Sequence, residues 1–371
     1  MTDVSILTSG HDVADARLHR ISAALVRAGL SVELHGIGDA SGAPTGLTNV
    51  VTRPRGGAAS RLRTAIALPW RAAGSVLLVL DPDVVPSARL ASRLRRRRFV
   101  VDVHEDYLAL LHDRPLSPAR RSAAGALVRL ATRLAARADL TVVTDDHVPP
   151  LRARRRLVVR NLPDYGYLPA PGPPEPQPRA IYIGDVRRSR GLATMLETIA
   201  VAPDWTLDIV GELNVADQPW LNSWLASSPA AGRVRVHGRL PPSEAWALAA
   251  GAWAGLALLD ATPAFQRAVP SKLFEYLASG LAVLATPLPP MVEIVTASGA
   301  GQLVRSAAEA AAVLNHWSAN PEDLRGAQAA AVAWAESERP GQSPYDELAR
   351  ALVESVEELG GHTGAPERRR R

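Results

Sequence analysis

Residues 269–286, VPSKLFEYLASGLAVLAT, read as a helix that stops at a glycine and passes straight into a buried strand. Pro270 and Ser271 mark the start, with Ser271 able to cap the first turn. Gly280 ends the helix, and the run 282–285 is short and apolar, as a sheet interior requires. Lys272 and Glu275 stand three residues apart, so they share one helix face, about 4.5 Å apart along the axis. That spacing suits a single ligand offering a phosphate to the ammonium and vicinal hydroxyls to the carboxylate. A surface ion pair has the same spacing, so the pair gains weight only from what surrounds it.

The strand–helix alternation extends in both directions. In the second half, strands are expected at 180–183, 206–210, 234–236 and 255–259, besides 282–285. The first half repeats the scheme at 4–8, 31–34, 75–80, 99–103 and 140–143. A loop over 9–15 follows the first strand, and then a helix patterned on Leu18, Ile21 and Leu25. In a later helix Leu127, Leu130 and Leu134 share one face, and Arg129, Arg133 and Arg137 another. Such alternation implies a mainly parallel α/β sheet covered on both faces, with ligands at the carboxyl ends of its strands. Between the halves, LPAPGPPEPQP at 168–178 suits neither helix nor sheet interior and reads as a linker. The expected organisation is an N-terminal Rossmann-like domain (1–165), a Pro-rich linker (166–178) and a C-terminal Rossmann-like domain (179–340). A closing helix (341–360) packing back toward the N-terminal domain and a basic tail (361–371) complete it.

Composition narrows the function. The chain has 371 residues, 42 Lys+Arg, 37 Asp+Glu and no Cys, which excludes disulfides, thiolate metal sites and Cys nucleophiles. No apolar run reaches the roughly 18–20 residues of a spanning helix, and no leader pattern opens the sequence, so a cytoplasmic protein is expected. Residues 1–165 carry 25 Arg against 15 acids, or +10, whereas 166–371 carry 17 Lys+Arg against 22 acids, or −5. The basic first half points to an anionic partner. Arg runs at 93–98 and 152–156, with Arg89, Arg93, Arg96 and Arg97 read as one helical stripe, suit an anionic membrane surface. Only Phe99 adjoins them as a stacking residue, so no nucleic acid is expected. Peripheral association at the inner membrane face fits the cytoplasmic reading. Of the 42 basic residues 41 are Arg; Lys272 is the only lysine.

A second loop, IYIGDVRRSRGLATMLE at 181–197, ends a strand at Gly184, crowds Arg187, Arg188 and Arg190 into a turn and starts a helix near Gly191. Helix-start amides and guanidinium groups make an anion site, and the spacing is not that of a nucleotide-hydrolysing P-loop. Taken with PSKLFEYLASG, IVGE at 209–212, VHGRLPPSE at 236–244, DVHEDY at 102–107, VVRNLPD at 158–164 and the trio His11, Asp15 and Arg17, the chain resembles glycosyltransferase family 4 over nearly its whole length. These are retaining enzymes of the GT-B fold, in which two Rossmann-like domains face each other across a cleft.

The resemblance implies a hexosyltransferase-like enzyme that moves a sugar from a nucleoside-diphosphate sugar to a hydroxyl of a glycan, lipid or small molecule. A UDP-sugar is the first expectation for the donor, and a GDP-sugar the alternative. Arg190 and Lys272 would neutralise the diphosphate, so that no metal or other cofactor is required, and Glu275 would take the ribose hydroxyls. Gly184, Gly211, Arg239, Leu240 and Leu273 would border the nucleotide. His104 would face the transferred sugar as a catalytic group. His11, Asp15 and Glu105 would line the acceptor side. Asp81-Pro82-Asp83 imitates a metal-binding Asp-x-Asp but is expected to close a strand, and His237 is expected to be structural. The sequence departs from the family at Arg267, where many relatives hold the donor sugar with a Glu. A non-hydrolysing nucleotide-sugar epimerase on the same fold, and a non-enzymatic binder of anionic surfaces or nucleic acid, are the rival readings.

Overall fold

The computed structural model describes residues 2–112, 116–163, 165–166, 168–263, 265–266, 271–339 and 341–361. Arg267, Pro270 and nearly all of the expected basic tail lie outside the described residues. The chain divides into two compact units: residues 1–161 with 342–371, and residues 162–341.

Unit 1 opens with β1 (Val4–Asp12), α1 (Ala16–Arg27), β2 (Val32–Ile37) and β3 (Asn49–Arg53). It continues through α2 (Ala58–Arg71), β4 (Val76–Val79), α3 (Val85–Leu94) and β5 (Arg98–Val103). Then come α4 (Tyr107–His112), α5 (Pro118–Ala135), β6 (Leu140–Val143) and β7 (Arg156–Val158). Its seven strands are all parallel, in the order β3-β2-β1-β4-β5-β6-β7. The apolar runs of β1, β4 and β5 are buried on both faces, as a covered parallel sheet requires.

Unit 2 runs β8 (Arg179–Ile183), α6 (Leu192–Val201), β9 (Thr206–Val210), α7 (Gln218–Ser227) and β10 (Val234–Gly238). Next are α8 (Pro242–Ala247), β11 (Ala254–Ala257), α9 (Ser271–Ala278) and β12 (Ala282–Ala285). It closes with α10 (Pro289–Ser298), β13 (Gly301–Leu303), α11 (Ala307–Ala319) and α12 (Pro321–Ser337). The sheet order is β10-β9-β8-β11-β12-β13, again all parallel. The last helix, α13 (Pro344–Gly361), packs on α1 and belongs to unit 1.

Both sheets reverse their strand order at one point, between β1 and β4 in unit 1 and between β8 and β11 in unit 2. In open sheets of this kind the crevice beyond the carboxyl ends at that point receives ligands. The segments at those strand ends are 8–11 and 80–83 in unit 1 and 184–191 and 258–263 in unit 2.

Several expectations need correction. The Pro-rich stretch is not a free spacer. Glu175 takes the Gly251 carbonyl through its own N–H (2.8 Å), accepts the Trp253 indole N–H (2.6 Å) and pairs with Arg179, which holds the stretch on unit 2. The inward face of α5 is Gly125, Val128, Ala131 and Ala135, while Leu130 points to solvent. Small residues let this helix lie close to the sheet, a preference that the leucine spacing does not encode. The arginine stripe is interrupted as well. Helix α3 ends at Leu94, Arg95 forms its C-cap, and Arg96 adopts φ +53 in the left-handed region. Only Arg89 and Arg93 of the four share the helix. Strand β1 also reaches Asp12, through most of the expected loop, after a shift of register against β2.

Candidate functional site

In unit 2 the carboxyl ends of three neighbouring strands are tied together by glycines. The Gly184 N–H donates to Val210 O (2.9 Å) and the Gly211 N–H to Gly238 O (2.8 Å). Gly184 and Gly211 have φ near +145 and +147, a region that side chains rarely enter. A Cβ on Gly211 would lie 1.7 Å from Gly184 O, and one on Gly184 would lie 2.7 Å from Lys272 Nζ. The strand ends thus form a bare backbone shelf, with the lysine directly above it.

Lys272 enters from the first turn of α9. Tyr276 fixes that helix, because its hydroxyl accepts the Ile183 N–H (3.0 Å) and reaches Leu256 O (3.4 Å), joining α9 to β8 and β11. The Lys272 ammonium rests 3.7 Å from the centroid of the Tyr182 ring and is almost fully buried. It has no hydrogen-bond partner among the described residues. Burial, then the neighbouring Arg190 charge, push its pKa well below the usual lysine value, while Glu275 works the other way. Glu275 itself is buried one turn further along α9.

Arg190 arrives from a tight turn, Arg188–Arg190, that ends on Gly191 at φ +87. A Cβ at Gly191 would lie 2.0 Å from Leu258 O, so only glycine lets the turn press against the end of β11. The Arg190 guanidinium lies over Phe265 (5.5 Å) and 3.7 Å from Asp185, and its buried Nε has no hydrogen-bond partner among the described residues. A buried ammonium thus stands over the shelf, and the Arg190 charge lies close enough to act on it. Each unmet donor carries a desolvation penalty of about 1–3 kcal/mol that an anion would relieve.

The remaining unit 2 residues divide. Arg239 pairs with Glu212 (2.9 Å) beside Gly238, and Leu240 packs on the core with part of its surface free. The Leu273 side chain is fully buried in the core, so this residue could border a nucleotide only through its backbone. His237 holds Asp208 (2.7 Å), which Arg179 also grips (3.1 Å), a structural arrangement.

In unit 1 the ends of β1, β4 and β5 converge on a hydrogen-bonded chain. Asp81 accepts the N–H groups of Ser9 (2.8 Å) and Gly10 (3.0 Å) and the Thr8 hydroxyl. His11 Nδ1 lies 3.3 Å from Asp81, and His11 Nε2 lies 3.0 Å from His104 Nε2. On its far side His104 Nδ1 stands 3.2 Å from the Tyr107 hydroxyl, which donates to Leu80 O (2.8 Å). Burial disfavours a charge on His11, but Asp81 outweighs it and raises the pKa to about 9. Burial, with the His11 charge added, lowers that of His104. The consistent protonation is an imidazolium at His11 donating to a neutral His104.

Asp15 caps α1 by accepting the Arg17 N–H (2.8 Å), and its charge also acts on His11. Glu105 lines a separate cavity of about 230 Å³ with Tyr107, Val128 and Arg133, between α4 and α5. Asp83 is taken by the Ser9 hydroxyl (2.8 Å) and by Arg61 (2.8 Å). Among the described residues no group of three His, Asp or Glu side chains could share a metal ion. Thr8, Arg61, Tyr107 and Tyr182 were missed by the sequence reading. Tyr107 and Tyr182 lie inside quoted motifs, whereas Arg61 sits on α2 with no local signal at all.

Residues 187–339 match the family described as "Glycosyl transferase-like". The fold is that of the GT-B glycosyltransferases. Sucrose-phosphate synthase from Thermosynechococcus elongatus matches 98% of this chain and 100% of its own, at 14% identity and TM-score 0.67. HepE of Anabaena, solved with UDP and glucose, matches 95% and 100% at 16% identity and TM-score 0.68. WaaG, a glycosyltransferase involved in lipopolysaccharide biosynthesis, matches 94% and 99% at 16% identity and TM-score 0.66. A sequence comparison with curated proteins finds no match. Among the described residues no helix is long and apolar enough to cross a membrane.

Proposed function

We propose that the chain is a retaining glycosyltransferase of the family 4 type. It would take a hexosyl group from a nucleoside-diphosphate sugar and pass it to an acceptor hydroxyl without a metal ion. The observation that carries this reading is the Lys272 ammonium, held above the Gly184–Gly211 shelf without a hydrogen-bond partner among the described residues and with the Arg190 charge near it. Two cationic groups near exposed backbone suit a diphosphate, the group that must leave. A UDP-sugar is the favoured donor, supported by HepE, whose fold this chain shares and which was solved with UDP-glucose.

In this reading Lys272 and Arg190 stabilise the charge that grows on the diphosphate as the anomeric C–O bond breaks. The acceptor oxygen bonds to the anomeric carbon on the same face, and its proton passes to the departing phosphate oxygen. Glu275 takes the ribose hydroxyls through charge-assisted hydrogen bonds. His104, kept neutral, offers an uncharged ring to the sugar, and His11 acts through it on the acceptor side. A thermal-shift screen of UDP, GDP and their sugars in EDTA tests the reading. A rise in melting temperature with one nucleotide series is expected; no rise with any of them would refute it.

A further inference from the structure

The two faces of the unit 1 sheet differ sharply in charge. One face is covered by α1 and α13, and there acids answer the arginines: Asp346 pairs with Arg27 (2.8 Å), Glu354 with Arg155 (2.8 Å) and Glu358 with Arg98 (2.6 Å). The other face is covered by α2, α3 and α5, which lie side by side. Their sequences, AASRLRTAIALPWR, VPSARLASRL and PARRSAAGALVRLATRLA, hold nine arginines and not one Asp, Glu or Lys. Arg63, Arg93, Arg129 and Arg133 are exposed and have no ion-pair partner among the described residues.

Between these arginines stand large aliphatic side chains turned to solvent. Leu62 and Ile66 on α2 are each 54% exposed, Leu90 and Leu94 on α3 are 53% and 67% exposed, and Leu130 on α5 is 44% exposed. The spacing is i, i+4 on α2 and on α3, so each helix offers a short outward apolar ridge. Unit 1 also holds Leu151, 65% exposed, in the Arg-rich segment before β7. Water-facing leucines are ordinary when scattered; gathered on three adjacent helices beside Arg63, Arg93, Arg129 and Arg133, they mark an interaction surface.

We propose that the outer face of α2, α3 and α5 docks unit 1 on an anionic lipid bilayer. The arginines meet the lipid phosphates, and the leucines and isoleucine enter the boundary between headgroups and acyl chains. Both halves of the pattern are used: charge draws the surface in, and apolar side chains gain from leaving water. A nucleic acid would satisfy the arginines alone. It offers nothing to five exposed aliphatic groups, and this face carries no exposed aromatic ring on which bases could stack. Arg61, which pairs with Asp83 at the strand ends (2.8 Å), is not part of this surface.

Vesicle flotation tests this directly, with phosphatidylcholine vesicles and with phosphatidylcholine–phosphatidylglycerol vesicles, at physiological salt. The chain should float with the anionic vesicles and remain behind with the neutral ones. Leu90→Ser with Leu94→Ser should weaken binding at least about tenfold, and Arg93→Gln with Arg129→Gln by a similar factor. Leu62→Ser with Ile66→Ser serves as a second apolar pair should the first fail to fold. Val215→Ser, an exposed site in unit 2, should leave binding unchanged. Failure to float with anionic vesicles would overturn the proposal, as would full binding by both folded apolar variants. Retention of a DNA duplex by those variants, without vesicle binding, would assign the face to nucleic acid instead.

Discussion

Replacing Lys272 by Met separates what this residue does for the fold from what it does for a ligand. Methionine follows the same channel as the lysine stem but has neither charge nor donor. In the free protein the ammonium is buried without a hydrogen-bond partner among the described residues, which is unfavourable by about 1–3 kcal/mol. Its position over Tyr182 returns about 2 kcal/mol as a cation–π contact. A thioether against the same ring recovers about 0.3–1.5 kcal/mol. The stability of the free protein should therefore change by between about −1 and +2.5 kcal/mol, at most a few degrees in melting temperature for units of this size. Affinity falls. Losing a charge-assisted contact to the diphosphate should cost about 1.5–3 kcal/mol, ten- to a hundredfold in the dissociation constant of UDP. Thermal unfolding with and without UDP, together with calorimetric titration, reads both quantities on one sample. A variant that melts far below the parent, or binds UDP as well as the parent does, refutes the reasoning.

Glu275→Ala should weaken nucleotide-sugar binding about ten- to a hundredfold, because charge-assisted hydrogen bonds to the ribose are lost; unchanged affinity in a folded variant, measured by titration, would remove Glu275 from the site. Gly211→Ala would set a Cβ 1.7 Å from Gly184 O at a φ of +147, and should destabilise unit 2 by at least roughly 2 kcal/mol in denaturant titration. His11 gives a pH signature. Its pKa of about 9 exceeds the unfolded 6.5, so its stabilisation is complete below pH 6.5 and disappears as pH rises through 9. Against His11→Gln, the parent should lose on the order of 2–3 kcal/mol across that window, and parallel stability curves would contradict the pairing with Asp81.

Much of the fold was legible because parallel strands buried on both faces are continuous apolar runs, which is how β1, β4, β5, β6, β8, β9 and β12 declare themselves. Strands β3 and β7 did not, since NVVTR and RLV are short, polar-edged and lie at or near a sheet edge. The inward face of α5 escaped notice because close approach to a sheet selects Gly125 and Ala131, whose small size carries no periodic signal. At the site, Lys272 and Glu275 could be read from helical spacing, but the role of Tyr276 could not. That role depends on two strands, β8 and β11, far from it in sequence. In the chain Asp81–His11–His104–Tyr107, directly bonded residues stand up to 93 positions apart, and only the strand order brings them together. Similarly, the acid-free outer face of α2, α3 and α5 becomes visible only once the three helices are known to be neighbours.

In the proposed function, a buried lysine amine and Arg190 hold a nucleoside diphosphate without a metal ion. Calorimetric titration of UDP in EDTA, repeated near pH 8 in two buffers of different ionisation enthalpy, tests it most directly. Because burial lowers the Lys272 pKa in the free protein and a bound diphosphate would raise it, binding should persist in EDTA with net proton uptake. The uptake should vanish in Lys272→Met. Binding that requires added magnesium or manganese, or binding with net proton release, would contradict this role of Lys272.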